Sequence, residues 1–259
     1  MRIALGVEYD GSAFCGWQFQ DHSPSVQEAV EKALSAVANE PVRVVCAGRT
    51  DTGVHATEQV IHFDSEVERS MRSWVRGANA NLPKEVVLLW ATPIDDEFHA
   101  RFAAVRRRYR YVIFNRAIRP TFLDKRTSWE YRDLNVDRMA EAASSLIGEH
   151  DFSSYRAVGC QAKNPVRTIH DIQLSRHNEL IFIDIEANAF LHHMVRNIAG
   201  VLMTIGAGEQ AVDWAAEVLE YKDRTKGGKT ASPSGLYLTG VTYPEQFQLP
   251  QIQHSAAIW

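Results

Sequence analysis

Residues 47–56 read Ala47-Gly48-Arg49-Thr50-Asp51-Thr52-Gly53-Val54-His55-Ala56. This stretch lies between two apolar, β-branched runs, Val42–Cys46 and Val60–Phe63, and each of them indicates a strand. It is too polar for a core segment and too long for a two-residue hairpin turn. A polar loop between strands is a common place for chemistry, because a rigid scaffold holds both of its ends.

The carboxylate of this loop, Asp51, has two interpretations. In the first it is a turn aspartate that hydrogen-bonds its own backbone, a common role for Asp beside Gly and Thr. In the second it is a functional acid, because Arg49 lies two residues away and a nearby cation stabilises the ionised form of a carboxyl group. The local sequence leaves both interpretations open.

Turn residues and hydrophobic periodicity divide the chain into two halves with the same order of elements. In the first half the pattern predicts strands over 2–9, 42–46, 58–63 and 86–91, and helices over 26–37 and 71–79. Ser25 is the expected start of the first helix, with Glu28 three residues later as in a capping box. In the second half it predicts strands over 108–114, 166–175, 180–187 and 236–242, and helices over 136–147, 190–206 and 212–221. Asn188 is the expected cap of the helix over 190–206.

Both halves therefore follow the order β-α-β-β-α-β, and the second has one extra helix. This order is typical of a ferredoxin-like unit. We expect an α+β fold of two ferredoxin-like halves with sheets joined side by side and a central active-site cleft. The halves are residues 1–104, which carry the Asp51 loop, and residues 105–250, while residues 251–259 are expected to form an unstructured tail.

Composition indicates a globular protein of a reducing compartment. The chain has 259 residues, a net charge of −4 and three cysteines with no Cys-x-x-Cys pair. An odd number of dispersed cysteines does not favour a disulfide scaffold, so we expect a cytoplasmic protein. We expect no signal peptide, and no apolar run approaches the ~18 residues that a membrane span needs.

The charge is unevenly distributed along the chain. Residues 101–119 contain seven arginines and no acid. Within Arg108-Tyr109-Arg110-Tyr111, residues two apart share one face of a strand, so the arginines point one way and the tyrosines the other. Two interpretations are open: a solvated strand face, or a face where an unstacked base and its phosphates bind. In the second case Arg106, Arg107, Arg108 and Arg110 are candidate RNA-binding residues.

Three further features lie in the second half. His192 and His193 are adjacent on a predicted helix, and such neighbours do not form the i, i+4 pair that binds zinc, so we expect no metal site. Arg196 falls on a largely apolar helix, where a cation usually has a carboxylate partner, and Asp51 is one candidate. The run Lys226-Gly227-Gly228-Lys229 lacks the Walker frame and is typical of a mobile basic loop.

Motifs along almost the whole chain resemble the tRNA pseudouridine synthase A family. The resemblance is carried, in order, by Tyr9-Asp10-Gly11, Gly16-Trp17-Gln18, Gly48-Arg49-Thr50-Asp51-Thr52-Gly53-Val54-His55-Ala56, Asn79-Ala80-Asn81-Leu82-Pro83, Phe98-His99-Ala100-Arg101-Phe102, Arg108-Tyr109-Arg110-Tyr111, the run Asn188 to Asn197, and Gly235-Leu236-Tyr237-Leu238. Only the tail after about Pro250 falls outside it.

The resemblance implies an isomerase that converts uridine to pseudouridine at positions 38, 39 and 40 of the tRNA anticodon stem-loop. It implies that Asp51 is the catalytic aspartate, that Tyr109 packs on the flipped uracil, that Arg196 pairs with Asp51 and that Arg49 helps to displace the base. It also implies a homodimer whose two subunits contact the anticodon arm. Since the reaction involves no redox change and no net hydrolysis, we expect no cofactor.

Two other functions are compatible with parts of this pattern. A non-catalytic tRNA-binding or RNA-folding protein would explain the arginines and tyrosines, but a carboxylate facing anionic RNA then lacks a purpose. A glycosidase or nucleosidase usually deploys two carboxylates, and the loop offers one.

Overall fold

The computed structural model describes residues 1–250, so the predicted tail over 251–259 lies outside the described residues. Within 1–250 the chain forms ten strands: β1 (Arg2–Tyr9), β2 (Val45–Cys46), β3 (His55–Asp64), β4 (Val86–Ile94), β5 (Arg106–Asn115), β6 (Ser128–Glu130), β7 (Gly148–Asp151), β8 (Val166–His177), β9 (Leu180–Ala187) and β10 (Leu236–Thr242). The same residues form five α-helices: α1 (Val26–Ala38), α2 (Met71–Asn81), α3 (Val136–Ser144), α4 (Met194–Gly206) and α5 (Trp214–Tyr221). The fold is therefore a mixed α/β architecture.

The described chain separates into two compact units. One comprises Met1–Val105 and the chain from Tyr237 onward, and the other comprises Arg106–Leu236. The strand over 236–242, which the element order places in the second half, lies mainly in the first unit because Tyr237 and Leu238 pair in parallel with β3. Among residues 1–250, no helix combines the length and the apolar character that a bilayer crossing requires.

In the first unit, β1 lies between β3 and β4 and is antiparallel to both. Ser25 caps α1 as predicted: its hydroxyl accepts the Glu28 N–H at 3.2 Å. The helix buries an apolar stripe that includes Val30 and Leu34. The predicted strand over 42–46 is shorter than expected, since only Val45–Cys46 pair with β3. The reason is that Val42 N and Val44 N donate to side chains of α1 instead.

In the second unit, neighbouring strands are antiparallel in the order β5-β9-β8-β7, and β6 pairs in parallel with β5. The predicted hairpin around His177 and Asn178 is confirmed, with His177 opposite Leu180. The sequence pattern did not predict β6 and β7. Both are short, and β7, Gly148-Glu149-His150-Asp151, has a polar sequence that carries no strand pattern.

His62 is a buried titratable group of the first unit. It lies on β3, its Nδ1 accepts the Ala100 N–H at 3.1 Å, and its ring packs against those of Phe98 and His99. Burial, followed by the charges of Arg2 and His99, lowers the pKa of His62 to about 4. His62 is therefore neutral in the folded protein at any pH near neutrality.

We expect the stability of the protein to fall between pH 6.5 and pH 4 through His62. The unfolded chain protonates this imidazole near pH 6.5 whereas the folded chain resists protonation until about pH 4, so lowering the pH favours unfolding. Between pH 7 and pH 5 the contribution is about 2 kcal/mol. Urea denaturation of the wild type and of His62→Asn at both pH values measures it. Asparagine can still accept the Ala100 N–H, so equal pH dependence in the two proteins would contradict the assignment.

Candidate active site

The Asp51 loop occupies residues 47–54, between β2 and β3 of the first unit. Its entry is fixed where Ala47 N donates to Val60 O at 2.8 Å, and its exit is a turn in which Val54 N donates to Asp51 O at 3.1 Å. Asp51 is half-buried, whereas Arg49 and Thr52 are exposed. The turn is thus made by the backbone carbonyl of Asp51, and the side chain that carries the carboxylate is half-buried.

Two buried side chains hold the first part of this loop. Gln59 of β3 has no solvent exposure; its Nε2 donates to Gly48 O at 2.6 Å and its Oε1 accepts the Gly48 N–H at 3.3 Å. The Tyr9 hydroxyl of β1 lies 2.8 Å from Thr50 Oγ1, in a buried hydrogen bond. Together they fix the backbone on the amino-terminal side of Asp51, because both partners lie on paired strands.

A close approach of two backbones fixes the centre of the loop. Trp17 N donates to Thr50 O at 2.9 Å. Gly16 has φ +92°, and a Cβ at this position would lie 2.7 Å from Thr50 O. A side chain there would be strained and would push the loop away. The Gly16-Trp17-Gln18 motif therefore has a structural reason: it brings one loop against the backbone that carries Asp51.

His55 holds the exit of the loop. Its Nδ1 accepts the Gly11 N–H at 3.1 Å and lies 3.2 Å from Asp10 Oδ1. Its ring stacks on Tyr237, with 4.5 Å between ring centroids. Motifs that are far apart in the sequence, at 9–11, 48–56 and 235–238, thus meet at the two ends of one loop. The sequence reasoning did not identify Tyr9, Gln59 and His55 as supports of the loop. In the sequence they are marked only as residues with a polar group at strand positions that are buried.

Tyr109 lies on β5 of the second unit, opposite Ile185 of β9. Its side chain is buried, and its ring packs edge-to-face on Phe190 with a centroid separation of 5.0 Å. The predicted alternation is confirmed, because Tyr109 and Tyr111 are buried while Arg108 and Arg110 are more exposed. An aromatic ring held on its edge by another ring has a fixed orientation before any base reaches it.

The arginines of β5 bind carboxylates of the neighbouring strand. Arg106 Nη1 and Arg108 Nη2 contact the two carboxylate oxygens of Glu186 at 2.9 and 3.0 Å. Although burial alone would raise it, hydrogen bonds from these two arginines hold the pKa of Glu186 below its ordinary value.

Arg110 makes two hydrogen bonds of 2.8 Å to Asp184, and Arg107 donates to the carbonyl of Asn188 at 3.0 Å. Asp184 and Glu186 stand directly opposite Arg110 and Arg108 in the strand register. The seven-arginine segment is therefore partly neutralised where it forms a strand. This compensation comes from acids more than 70 positions away, which the local charge count did not include.

The start of α4 differs from the prediction. The helix begins at Met194 rather than near residue 190, and His193 before it has φ +62°, in the left-handed region. The predicted cap by Asn188 is wrong, because Asn188 Oδ1 accepts the N–H groups of Thr168 and Ala189. His192 and His193 precede the helix, with ring centroids 4.0 Å apart, so the helical spacing used to argue against a metal site does not apply to them.

Arg196 lies in the first turn of α4 and is half-buried. Its Nε donates to the carbonyl of Ala231 at 2.8 Å, and Ala231 N donates back to the carbonyl of Arg196 at 3.1 Å. The segment that follows Lys229 thus fixes the direction of this side chain. Asp51 and Arg49 lie in the first unit, and Tyr109 and Arg196 lie in the second, so the pairing of Asp51 with Arg196 stays a prediction.

Gly200 of α4 explains how that segment reaches the helix. A Cβ at Gly200 would lie 1.8 Å from the carbonyl oxygen of Lys229. We expect Gly200→Ala to lower the free energy of unfolding by about 1–3 kcal/mol, although alanine is the better helix former by about 1 kcal/mol. Urea denaturation measures the change in stability, and we expect a loss of activity as Ala231 moves.

A second glycine of the same helix is the matched control. At Gly206 the added Cβ would meet the flexible side chain of Met139 at 2.7 Å, and the carbonyl oxygen nearest to it, Asn135 O, would lie at 3.5 Å, an ordinary contact distance. Because that side chain can move, Gly206→Ala should cost clearly less than Gly200→Ala. Equal losses for the two variants would contradict the importance of the Lys229 contact.

Comparison with known proteins gives one consistent family. The family model described as tRNA pseudouridine synthase matches residues 6–103 and 142–244. A protein named tRNA pseudouridine synthase A from Pseudomonas aeruginosa is 59% identical over 251 residues, covering 96% of this chain and 88% of the relative. Proteins of the same name from Nitrosococcus oceani and Shewanella amazonensis are each 57% identical, with 100% and 97% of both chains covered. The two matched segments hold the Asp51 loop and α4, and the chain belongs to the tRNA pseudouridine synthase family.

Proposed function

We propose that this protein isomerises uridine to pseudouridine at positions 38, 39 and 40 of the anticodon stem-loop of tRNA, with Asp51 as the catalytic carboxylate. The observation that carries the proposal is the Asp51 loop, whose backbone is held by Gln59, Tyr9 and His55 around one carboxylate. Relatives named tRNA pseudouridine synthase A over the full chain length support the same reaction and substrate.

The reaction needs one well-placed acid group. The bond between uracil N1 and the ribose breaks, the base turns, and C5 forms the new bond. Three routes are compatible with one carboxylate: it adds to ribose C1′, it adds to uracil C6, or it removes a ribose proton to give a glycal-like intermediate. No redox change or net hydrolysis takes place, so the chemistry requires no cofactor.

The remaining site residues act on the base and on the acid. The target base leaves its stack, which costs a few kcal/mol, and an aromatic ring recovers about 1–3 kcal/mol by stacking. Tyr109 provides this ring, Arg49 helps to displace the base, and Arg196 pairs with Asp51 to orient it. The fixed contacts of Tyr109 with Phe190 and of Arg196 with Ala231 support these roles, since both side chains are positioned in advance.

The β5 arginines contribute phosphate contacts in this proposal. Arg106, Arg107, Arg108 and Arg110 are the candidates. Arg106, Arg108 and Arg110 form ion pairs with Glu186 or Asp184. Each phosphate contact would therefore compete with an existing ion pair. We therefore assign them a smaller share of tRNA affinity than an uncompensated cationic strand would have.

The arrangement of the two halves of the chain is also part of this proposal. We infer two ferredoxin-like halves, residues 1–104 with the catalytic loop and residues 105–250, with joined sheets and a central cleft. The element order β1-α1-β2-β3-α2-β4 supports this for the first half. We further propose a cytoplasmic homodimer that binds the anticodon arm through both subunits. Sedimentation of the protein alone tests the dimer.

Incubation of the purified protein with unmodified tRNA transcript, followed by mapping of pseudouridine, tests the function. We expect pseudouridine at 38, 39 or 40 wherever the transcript has a uridine there. Tight tRNA binding with no pseudouridine would favour a non-catalytic tRNA-binding or folding protein. Release of free uracil would favour a nucleosidase instead.

A further inference from the structure

The second unit contains a cavity that the catalytic residues do not use. Its volume is about 320 Å³. We call it the basic pocket; its lining includes Arg156, Cys160, Lys222, Asp223 and Arg224. Three cationic residues and one acidic residue therefore line a space that can hold a small anionic group.

The Arg224 guanidinium is positioned before any ligand arrives. Its Nη2 donates to Asn197 Oδ1 at 3.0 Å and to Thr230 Oγ1 at 2.9 Å. Asn197 is itself fixed, because its Nδ2 donates to the carbonyl of Tyr155 at 2.7 Å. These bonds use both hydrogens of Nη2, so they fix the position of the positive charge beside the pocket.

The acid of the pocket is turned toward its own backbone. Asp223 Oδ1 accepts the N–H and the hydroxyl of Thr225, at 2.9 and 2.8 Å. These hydrogen bonds lower the pKa of Asp223, so it is ionised near neutral pH. One negative charge thus opposes the three positive charges of Arg156, Lys222 and Arg224, and the pocket keeps a positive excess.

The basic glycine loop, Lys226 to Lys229, forms part of the surroundings of this pocket. A Cβ at Gly227 would lie 3.2 Å from both Arg224 Nη1 and Ser154 O, and one at Gly228 would lie 3.2 Å from Val201. Lys226 Nζ stands 5.1 Å from the centre of the Tyr221 ring. Gly227 lets the chain pack closely beside Arg224, and Lys226 adds another cation to this region of the unit.

We propose that the basic pocket binds a backbone phosphate of the tRNA substrate. This inference rests on the proposed function, which supplies a polyanionic RNA as the ligand. The fixed positive charge of Arg224 attracts a phosphodiester group, while Lys222 and Arg156 add charge without a fixed geometry. Phosphate contacts position an RNA and carry no sequence information, so the pocket would act on binding rather than on the chemical step.

Kinetics of single-charge variants test the pocket. For Lys222→Ala and Arg156→Ala we expect the KM for tRNA to rise roughly three- to tenfold, with kcat unchanged. The slope of log KM against log salt should fall by about 1 for each lost phosphate contact. Lys84→Ala is the matched control: it removes one exposed positive charge from the first unit and should behave like the wild type.

Alkylation of Cys160 gives a readout that does not depend on turnover. Cys160 lines the pocket and is a free, partly exposed thiol. Saturating tRNA should slow its reaction with iodoacetamide several-fold, as followed by peptide mass spectrometry, and Lys222→Ala should reduce this protection at a fixed tRNA concentration. N-acetylcysteine in the same reaction serves as the reference for general thiol reactivity.

The results distinguish a failure of the pocket inference from a failure of the proposed function. If the wild type forms pseudouridine but both variants keep its KM and salt slope and tRNA leaves Cys160 reactive, the pocket inference is wrong and the function stands. If the wild type forms no pseudouridine, the proposed function fails. In that case protection of Cys160 by bound tRNA supports the pocket, and unchanged labelling refutes it.

Discussion

Asp51→Asn is expected to abolish pseudouridine formation, with a loss of roughly 10⁴-fold or more in kcat, because the amide can neither act as a nucleophile nor accept a proton. The change replaces one carboxylate oxygen and keeps the size of the side chain. The turn around residue 51 is made by its carbonyl, which accepts the Val54 N–H at 3.1 Å, and asparagine preserves that bond. Single-turnover assays on transcript tRNA measure the effect.

Substitution of Asp51 should reduce the rate of the chemical step and leave folding and tRNA binding largely intact. The loop is held by Gln59, Tyr9 and His55, so we expect Asp51→Asn and Asp51→Ala to be folded under the assay conditions, as urea denaturation checks, although each loses the proposed ion pair with Arg196. Their tRNA affinity should stay within about threefold of the wild type, since removing a negative charge does not weaken phosphate binding.

A neighbour in the same loop provides the control for Asp51. Thr52 is exposed and directly follows it, so Thr52→Ala perturbs the same turn without removing the acid. We expect activity within a few-fold of the wild type. Turnover above about 1% of the wild-type rate in both Asp51 variants would exclude this carboxylate as the catalytic group.

The position of the loop could be predicted, but its supports could not. Polar residues between two apolar runs placed the loop at residues 47–56, and the structure ends it at residue 54 because β3 already begins at His55. By contrast, Gln59 pairs with Gly48 across a strand boundary, and Gly16 approaches Thr50 from a segment 34 positions earlier. Such contacts depend on the relative placement of β1 and β3, and no local pattern encodes that placement.

The largest error in the predicted elements lies at the start of α4. It also arises from tertiary contacts that no local sequence pattern encodes. Apolar residues at Phe190, Val195 and Ile198 continue a helical period, which placed the helix start near 190. The backbone turns at His193 into the left-handed region, and Asn188 satisfies two N–H groups, one of them on β8. Tertiary hydrogen bonds therefore override a periodicity that the sequence shows correctly from Met194 onward.

The arginine segment shows what a local charge count omits. Seven arginines without an acid in 19 positions indicated an anionic partner. The fold places β9 beside β5, and Glu186 and Asp184 then stand opposite Arg108 and Arg110. A local excess of positive charge remains where no paired strand supplies acids, as in the basic pocket. Charge should therefore be assigned to a surface only after strand pairing is known.

Substitutions of Tyr109 are expected to have the second largest effect on activity. Three variants at this position distinguish its possible roles. Tyr109→Phe keeps the ring and should retain kcat within a few-fold if stacking on uracil is the function. Tyr109→Leu fills the space beside Phe190 without a flat π-face and should lose about 1–3 kcal/mol of transition-state stabilisation, or roughly 5- to 150-fold in kcat/KM. Transcript assays with each variant measure these ratios.

Tyr109→Ala should lose more than Tyr109→Leu, for a reason that includes folding. The side chain is 8% exposed and lies 5.0 Å from Phe190 between ring centroids, so its removal leaves a cavity that costs about 3–5 kcal/mol of stability. Leucine fills most of that cavity, which makes it the informative variant for catalysis. If Tyr109→Phe falls to the level of Tyr109→Leu while both remain folded, the hydroxyl carries the function, and Tyr109 takes part in proton transfer rather than in holding the flipped base.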